Sequence, residues 1–328
     1  MDITTQITIA SGDVEVDVLP WGGTIRAIRF RHQGELMNTV LSYDKPEMYR
    51  IDPFYMGCTP GRYANRIARA EFKLKGVTHK LTANENGNIL HGGRYGFQHQ
   101  PWQVIYTKPD EVALQYVSRN GEQGFPGQLT VKQTIRATED SVSISYYAET
   151  SAATVVNLTN HCYFNLDREK QYIGDHWLQI NASQFTEVNE QGIPTGHSAP
   201  VNNTPFDFRQ AQQLAKVLDA KHPQLQHSEG FDHNFEIEPN GNPLHWAAIL
   251  YSPQTDLSMT VLSTQPGLQL YCGQYLTGPF KPKQGLCLEA QQFPDAPNQP
   301  HFPNAEVHPG KPYQERIVYR FSQGHQSK

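Results

Sequence analysis

Cysteine is scarce in this chain, and the spacings that bind metals are missing. The four cysteines among 328 residues are widely separated and form no CxxC pair: Cys58, Cys162, Cys272 and Cys287. We therefore expect reduced thiols rather than a disulfide framework. The chain has 14 histidines, but no HxH, HExxH or Cys/His cluster at ligand spacing, which argues against a metal centre.

Long hydrophobic runs and a strong charge of one sign are also missing. No apolar stretch approaches the roughly 20 residues of a membrane span, and the N-terminus lacks a basic segment followed by an apolar run. Lys+Arg 27 against Asp+Glu 32 gives a net charge of -5, which provides no electrostatic basis for binding nucleic acid or an anionic membrane. We expect a cytoplasmic protein with a small or neutral partner.

Helical periodicity is confined to one segment. Within Arg209 to Ala220, apolar residues fall at the i, i+3, i+4, i+7 spacing from Ala211 to Leu218, and Asp207 precedes them as a possible cap. We predict one short helix here, as a surface insertion between strands.

Short alternating runs are abundant. Val14 to Pro20 and Ile25 to Phe30 predict an opening hairpin, and Leu129 to Ile135 and Ser141 to Tyr147 predict another around a polar turn. Similar runs recur at Glu111 to Val117, Thr154 to Leu158, Trp177 to Ile180, Leu257 to Leu262, Leu268 to Cys272 and Arg316 to Phe321. We predict an all-β protein, a large sandwich or barrel. Glycine and proline are not gathered into a linker, so one domain over residues 1–328 is the simplest organisation.

Two stretches place a candidate proton carrier among polar or apolar neighbours. His161 lies within Leu158 to Leu166, where it is either a core histidine held by amides or a general acid or base. Glu289 ends an apolar strand within Gly285 to Asn298; alternation puts Cys287 on its side of that strand. Glu289 is either a solvated edge residue or a base whose pKa burial can tune.

Three other stretches carry donors and acceptors suited to a polar ligand. Gly61 to Ile67 sets two arginines around Asn65, either as exposed charges or as an array of fixed donors. An amide-rich turn leads into His91 before two glycines, where a ligand can approach the backbone. Asp232, beside a histidine, either caps a turn, orients that histidine or binds two hydroxyls.

Together these stretches resemble the aldose 1-epimerase (galactose mutarotase) family over nearly the whole chain. The matching segments are GRYANRI at Gly61 to Ile67, NILHGG at Asn88 to Gly93, LTNHCYFNL at Leu158 to Leu166, FDH at Phe231 to His233, QPGLQLYCG at Gln265 to Gly273 and LEAQQFPDAPN at Leu288 to Asn298. The resemblance implies an all-β fold, a large antiparallel β-supersandwich with an open sugar-binding cleft. It also implies interconversion of the anomers of free aldohexoses without cofactor or metal.

The resemblance further implies roles for individual residues. His161 matches the general acid that protonates the ring oxygen, and Glu289 matches the general base that takes the proton of the anomeric hydroxyl. Arg66, His91, Asp232 and Gln269 match sugar-binding or cleft-lining positions, with Asn65 beside them. In the resting enzyme we expect an ionised Glu289 and a protonated His161.

Two small departures from the family pattern occur. Cys162 and Ala290 stand where a hydroxyl residue is common in relatives.

Three alternative functions stay open. A sugar-binding module without catalysis could share the scaffold, a glycosidase could use Asp232 with Glu289, and a sugar-phosphate epimerase would need extra cationic groups. The sequence leaves open the preferred aldose and the choice between monomer and homodimer.

Overall fold

The structure, a computed structural model, describes residues 5–326; the ends of the predicted 1–328 domain lie outside the described residues. The strands, in chain order, are β1 Ile7–Ser11, β2 Val14–Leu19, β3 Thr24–His32, β4 Glu35–Asn38, β5 Arg66–Ile67, β6 Glu71–Leu74, β7 Val77–Lys80, β8 Ile89–Leu90, β9 Gln103–Thr107, β10 Glu111–Ser118, β11 Leu129–Ala137, β12 Ser141–Thr150, β13 Thr154–Val155, β14 Tyr163–Phe164, β15 Trp177–Ile180, β16 Ala182–Val188, β17 Pro194–Pro200, β18 Gln212–Gln213, β19 Asp232–Ile237, β20 His245–Ser252, β21 Leu257–Ser263, β22 Gly267–Tyr271, β23 Leu286–Gln291, β24 Glu306–Val307 and β25 Tyr313–Gln323. Strands dominate, as the alternating runs predict.

Helical structure in the described chain is short. The α-helix is α1 Pro223–His227. Single 3₁₀ turns lie at Pro46–Arg50, Ala68–Ala70, Phe97–His99, Glu122–Gly124, Leu214–Lys216 and Ala296–Asn298. No helix in residues 5–326 is long and apolar enough to cross a membrane.

Three sheets form the body of the protein, and their ladders are antiparallel. A nine-stranded sheet has the order β18-β15-β20-β21-β25-β12-β11-β10-β9, a six-stranded sheet the order β14-β23-β22-β19-β16-β17, and a four-stranded sheet the order β1-β2-β3-β4. One hydrophobic cluster joins them, with buried residues from each, such as Ile28, Ile144 and Leu270. The predicted β-supersandwich is confirmed, as are both predicted hairpins.

The helix predicted over 209–220 is wrong, although a short helix does follow it. Gln212 and Gln213 pair with β15 as an edge strand, and the Leu214 and Ala215 amides donate to carbonyls of 176 and 174. The apolar periodicity is real, because Leu214 and Leu218 are buried. The main chain of residues 212–215, however, forms hydrogen bonds with another segment, and local bonds after Leu214 close only a 3₁₀ turn and single turns that reach Ala220.

Candidate functional site

A cleft of about 250 Å³ lies over β19, β22 and β23 of the six-stranded sheet. Its lining residues are Pro53, Phe54, Tyr55, Asn65, Arg66, Glu85, Leu90, His91, His161, Tyr163, Asp232, Tyr271, Tyr275 and Glu289. Six of the seven residues singled out from the sequence are therefore together. The seventh, Gln269, lies behind Asp232, to whose Oδ1 its Nε2 donates at 2.6 Å.

His161 and Glu289 face each other at the floor of this cleft. The imidazole Nε2 is 3.8 Å from Oε1 of the carboxyl group, and the residues are 4% and 2% exposed. The other carboxyl oxygen, Oε2, is buried and has no hydrogen-bond partner among the described atoms. A buried acceptor without a partner is costly, so the carboxyl group of Glu289 is held here at a cost in stability.

Main-chain contacts hold His161 in position from the opposite side. Its amide donates to the carbonyl of Cys58 at 3.0 Å, and its carbonyl accepts from the amide of Gly57 at 2.9 Å. Directly after it, β14 pairs with β23, the strand that carries Glu289. The separation of the two groups is thus set by a sheet ladder and by the segment around residue 57.

Burial opposes charge on both members of the pair. It raises the pKa of Glu289 well above its ordinary value, with the negative charge of Asp232 adding to the effect. It lowers the pKa of His161 to about 4. These directions favour a protonated Glu289 and a neutral His161, which is the reverse of the ionised Glu289 and protonated His161 expected from the resemblance.

Arg66 and two carboxylates form a charged network on one wall. Its Nε and Nη2 donate to Glu85 at 2.6 and 3.0 Å, and its Nη1 is 3.4 Å from Oδ2 of Asp232. Burial alone would lower the pKa of the guanidinium, but the two carboxylates raise it above its ordinary value. The network fixes Arg66 and Asp232 as rigid partners for hydroxyl groups.

His91 is held as a neutral imidazole. Its Nδ1 accepts from the amide of Asn65 at 3.1 Å, and its own amide donates to the Asn65 carbonyl at 3.0 Å. Burial, followed by the nearby His161, lowers the pKa of His91 well below its usual value. Since Nδ1 is an acceptor, Nε2 carries the proton and can donate to a ligand.

The Gly-Gly loop after His91 is required by a close approach of two backbones. A Cβ on Gly92 would lie 1.9 Å from the carbonyl oxygen of Gly61, and the residue has a φ of +76°. The glycine thus allows two of the predicted motifs to pack directly against each other.

Arg62 departs from the array of two guanidiniums that the sequence suggested. It is 2% exposed and donates to the carbonyls of Pro126 and Gly127 and to Oγ of Ser118. Burial lowers its pKa to about 10. It is a structural cation that ties two loops to the core, whereas Arg66 is the cleft residue.

The residues of the aromatic wall of the cleft were not identified from the sequence. Tyr163 and Tyr271 lie inside the motifs noted above, next to residues that were selected, but their spacing carries no signal of its own. Tyr55 has no motif around it. Its ring centroid is 4.5 Å from that of His91 and 5.7 Å from that of His161. Such rings can cover the apolar face of a ligand.

One group of potential metal ligands occurs in the described part of the chain. It consists of His161, Cys287 and Glu289, whose ligand atoms lie within 4.8 Å of one another. A metal bound there would occupy the imidazole and the carboxylate needed for proton transfer. All four cysteines are free and buried, as expected.

A larger groove lies elsewhere, between the segment 69–78 and the segment 296–306. Its lining includes none of the seven residues singled out from the sequence. The smaller cleft is therefore the better candidate for chemistry.

Comparisons with known proteins identify the family. The sequence profile of the family described as Aldose 1-epimerase matches residues 5–320. Galactose mutarotase from Homo sapiens is 38% identical over 319 residues, which cover 94% of this chain and 91% of the relative. Aldose 1-epimerase from Escherichia coli K12 is 36% identical, with 93% and 91% covered.

Solved structures give the same result. A crystal structure of an aldose epimerase homologue from C. elegans superposes with a TM-score of 0.91 at 28% identity, covering 98% of this chain and 99% of that one. A galactose 1-epimerase from Lactobacillus acidophilus gives 0.87 at 26% identity, covering 98% and 95%.

Replacing Gly92 with alanine should destabilise the protein more than the same change at Gly87. Both glycines have positive φ, but a Cβ on Gly87 meets nothing within 4 Å. Gly87→Ala should therefore cost only the conformational penalty of about 1 kcal/mol, whereas Gly92→Ala should cost about 3 kcal/mol or more. Urea unfolding measures both; equal losses would show that the close approach to Gly61 is not a constraint.

Replacing Glu289 with glutamine should stabilise the fold at neutral pH. The raised pKa of Glu289 means that folding opposes its ionised form, so stability is lost as pH rises above the ordinary carboxyl pKa. The amide removes this cost, and we expect a gain of about 1–2 kcal/mol at pH 7. The gain should disappear near pH 4.

The thermal midpoint measured at both pH values checks this expectation. Glu190→Gln, at an exposed position, controls for the loss of one negative charge. A destabilised Glu289→Gln protein at pH 7 would contradict the assignment of Glu289 as a strained, unpartnered acid.

Proposed function

Because the chain belongs to the aldose 1-epimerase family, we propose that it interconverts the α and β anomers of free aldohexoses such as galactose and glucose. Glu289 acts as the general base and His161 as the general acid. The observation that carries the proposal is the pair itself: a carboxyl oxygen and an imidazole nitrogen 3.8 Å apart in a buried cleft.

The separation of the pair suits the two oxygens of a hemiacetal. The anomeric hydroxyl and the ring oxygen are bonded to the same carbon, so the two groups that exchange protons with them must be neighbours. A glycosidase instead uses two carboxyl groups about 5–9.5 Å apart. Asp232, the second carboxylate considered, is already bound by Arg66 and Gln269.

In the reaction, Glu289 takes the proton of the anomeric hydroxyl while the bond between the anomeric carbon and the ring oxygen breaks. The electrons of the O–H bond form the carbonyl, and Nε2 of His161 gives its proton to the ring oxygen. Rotation next to the aldehyde exposes its other face, and reclosure with the roles reversed gives the other anomer. Atoms and electrons balance without a co-reactant.

This step needs an ionised Glu289 and a protonated His161, so a proton must move from the carboxyl group to Nε2 of His161 when the sugar binds. Arg66 favours the ionised form of Glu289, although Asp232 opposes it, and Asp232 favours the protonated form of His161. A sugar hydroxyl that donates to the carboxyl group also favours its ionised form.

The walls of the cleft match a neutral, hydroxylated ring. Arg66, His91 and Asp232 present fixed donors and acceptors, Asn65 orients His91, and Gln269 orients Asp232. Tyrosines cover the apolar face of the ring. A sugar phosphate fits less well, because the guanidinium of Arg66 is already balanced by Glu85 and Asp232.

The remaining features of the proposal concern the whole protein. We place the activity in the cytoplasm, within hexose metabolism, in a single domain over residues 1–328 that acts as a monomer or homodimer. The four buried, unpaired thiols support a reducing compartment.

Polarimetry of freshly dissolved α-D-galactose and α-D-glucose tests the activity. The wild type should accelerate the drift in optical rotation, and His161→Ala and Glu289→Gln should each reduce kcat by about 10² to 10⁴. His197→Ala and Glu190→Gln make similar changes at exposed positions and should retain full activity. Sugar binding without acceleration by the wild type would instead favour a binding module.

The pH dependence of kcat/KM provides a second test. Below the pKa of His161, which is about 4, both His161 and Glu289 are protonated, so neither can accept a proton. Above the raised pKa of Glu289, both groups are deprotonated, so neither can donate one. The rate should therefore have a plateau whose acid limb is centred near pH 4. A limb centred near 6.5, with the fold intact by circular dichroism, would contradict the neutral resting pair.

A further inference from the structure

Glu85 lines the cleft, but the proposed reaction gives it no role. It lies in the amide-rich turn that leads to His91, where its amide donates to the carbonyl of Asn88 at 3.2 Å and its carbonyl accepts from the Asn88 amide at 2.7 Å. The side chain of Asn84 closes the same turn, because it bonds to both the amide and the carbonyl of Leu90. The carboxylate of Glu85 is therefore carried by a fixed main chain.

The carboxylate occupies one whole edge of the Arg66 guanidinium. Its Oε2 accepts from Nε at 2.6 Å and its Oε1 accepts from Nη2 at 3.0 Å. This pair of parallel bonds is the arrangement through which arginine binds carboxylates and phosphates most specifically. Gly192 lies against the flat face of the same guanidinium, since a Cβ on it would be 3.0 Å from Cζ, and Nη1 is 3.4 Å from Oδ2 of Asp232. An anionic ligand would therefore have to compete with Glu85 for this edge.

The charged network on this wall has one positive group, Arg66, and two negative groups, Glu85 and Asp232. Arg66 is the one arginine among the residues that line the cleft, and no lysine lines it. A hexose bound in a cleft of about 250 Å³ lies close to this network. A negative charge on the sugar would therefore be repelled unless it displaced Glu85 from the guanidinium.

We propose that Glu85 is a specificity-determining residue that excludes aldoses with an anionic group, such as uronates, and so restricts the cleft to neutral sugars. The inference rests on the epimerase activity proposed above and assigns this selectivity to one side chain. Glu85 acts in two ways. Its charge repels the anion, and its two bonds to Arg66 occupy the edge to which a sugar carboxylate would bind.

A simpler role for Glu85 would be to hold Arg66 in place. The main chain of Arg66 is already fixed without it, because Arg66 pairs with Leu90 across the β5–β8 ladder and its carbonyl accepts from the amide of Asp295 at 2.7 Å. Asp232 also contacts the guanidinium. If Glu85 only positioned Arg66, its loss would impair the binding of every sugar alike. Selection against anions instead predicts that neutral and anionic sugars respond differently.

The test compares α-D-galactose with α-D-galacturonate, which carries a carboxylate at C6. Glu85→Gln removes the charge and keeps the shape, Glu85→Ala also frees the edge of Arg66, and Glu85→Asp keeps the charge. Polarimetry at pH 7 gives kcat/KM for each sugar. The ratio of galacturonate to galactose should rise about tenfold in Glu85→Gln, because a like charge at close range costs at least that factor. It should rise further in Glu85→Ala and stay near the wild-type value in Glu85→Asp.

Glu190→Gln is the matched control, since it removes the same charge at an exposed position and should leave the ratio unchanged. Thermal midpoints show that each variant is folded. A ratio that stays at the wild-type value in both Glu85→Gln and Glu85→Ala, or that rises equally in Glu190→Gln, overturns the proposal, as does a wild type that acts equally on both sugars.

Isothermal titration calorimetry with the same two sugars measures the selectivity without turnover. The wild type should bind galactose in preference to galacturonate, and Glu85→Ala should lose most of this preference. A wild type that accelerates neither sugar but whose binding preference still depends on Glu85 would contradict the epimerase activity alone. A preference that persists in Glu85→Ala would contradict the role of Glu85, whatever the activity.

Discussion

The burial of Glu289 and His161 beside each other is the constraint on which the rest of the site depends. Burial opposes charge on either group, and the charged groups nearby are paired with one another. Arg66 is balanced by Glu85 and Asp232. His91 is kept neutral by burial and by its bond to Asn65. The cleft therefore presents many fixed hydrogen-bonding groups, which is what a neutral, hydroxylated sugar requires.

The burial of Glu289 has a cost in stability. A buried carboxyl oxygen without a hydrogen-bond partner among the described atoms is an unfavourable feature that the surrounding fold must support. The support comes from Asn157, whose side chain joins the carbonyls of Ala64 and Gln292 and accepts from the amide of Gln292. The hydroxyl of Tyr63 adds a bond to the carbonyl of Phe293. Segments more than 200 residues apart in the chain are thereby held together beside the cleft.

The sequence was most informative where chemistry and periodicity agreed. Alternation predicted β23 and placed Cys287 and Glu289 on one face of it. A strand inside a sheet forms its main-chain hydrogen bonds with both neighbouring strands, so its side chains must alternate between the two faces. It failed over 209–220, where the same burial of Leu214 and Leu218 is achieved by a chain that pairs with β15. Hydrophobic spacing reports which side chains are buried, whereas the partner of the main chain depends on distant residues.

The candidate site shows the same division. Arg62 and Arg66 are four residues apart in one motif, yet one is a core cation and the other lines the cleft. Residue type alone cannot separate them, because the difference lies in whether loop carbonyls or carboxylates are within reach. Tyr55 could not be found from the sequence, since its place depends on the loop anchored by Asp52, whose carboxylate accepts from the amides of Phe54 and Met56.

The accuracy of the site comes from the central strands rather than from loops. Glu289 pairs with Gln269 across the β22–β23 ladder, Tyr271 pairs with Cys287 in that ladder, and Asp232 pairs with Tyr271 in the next; neither ladder contains a register shift. A slip of one residue would turn Glu289 and Cys287 to the opposite face together. Glu289 and Cys287 are therefore coupled by register, so the same ladder places a carboxyl group beside one imidazole nitrogen of His161 and a thiol beside the other.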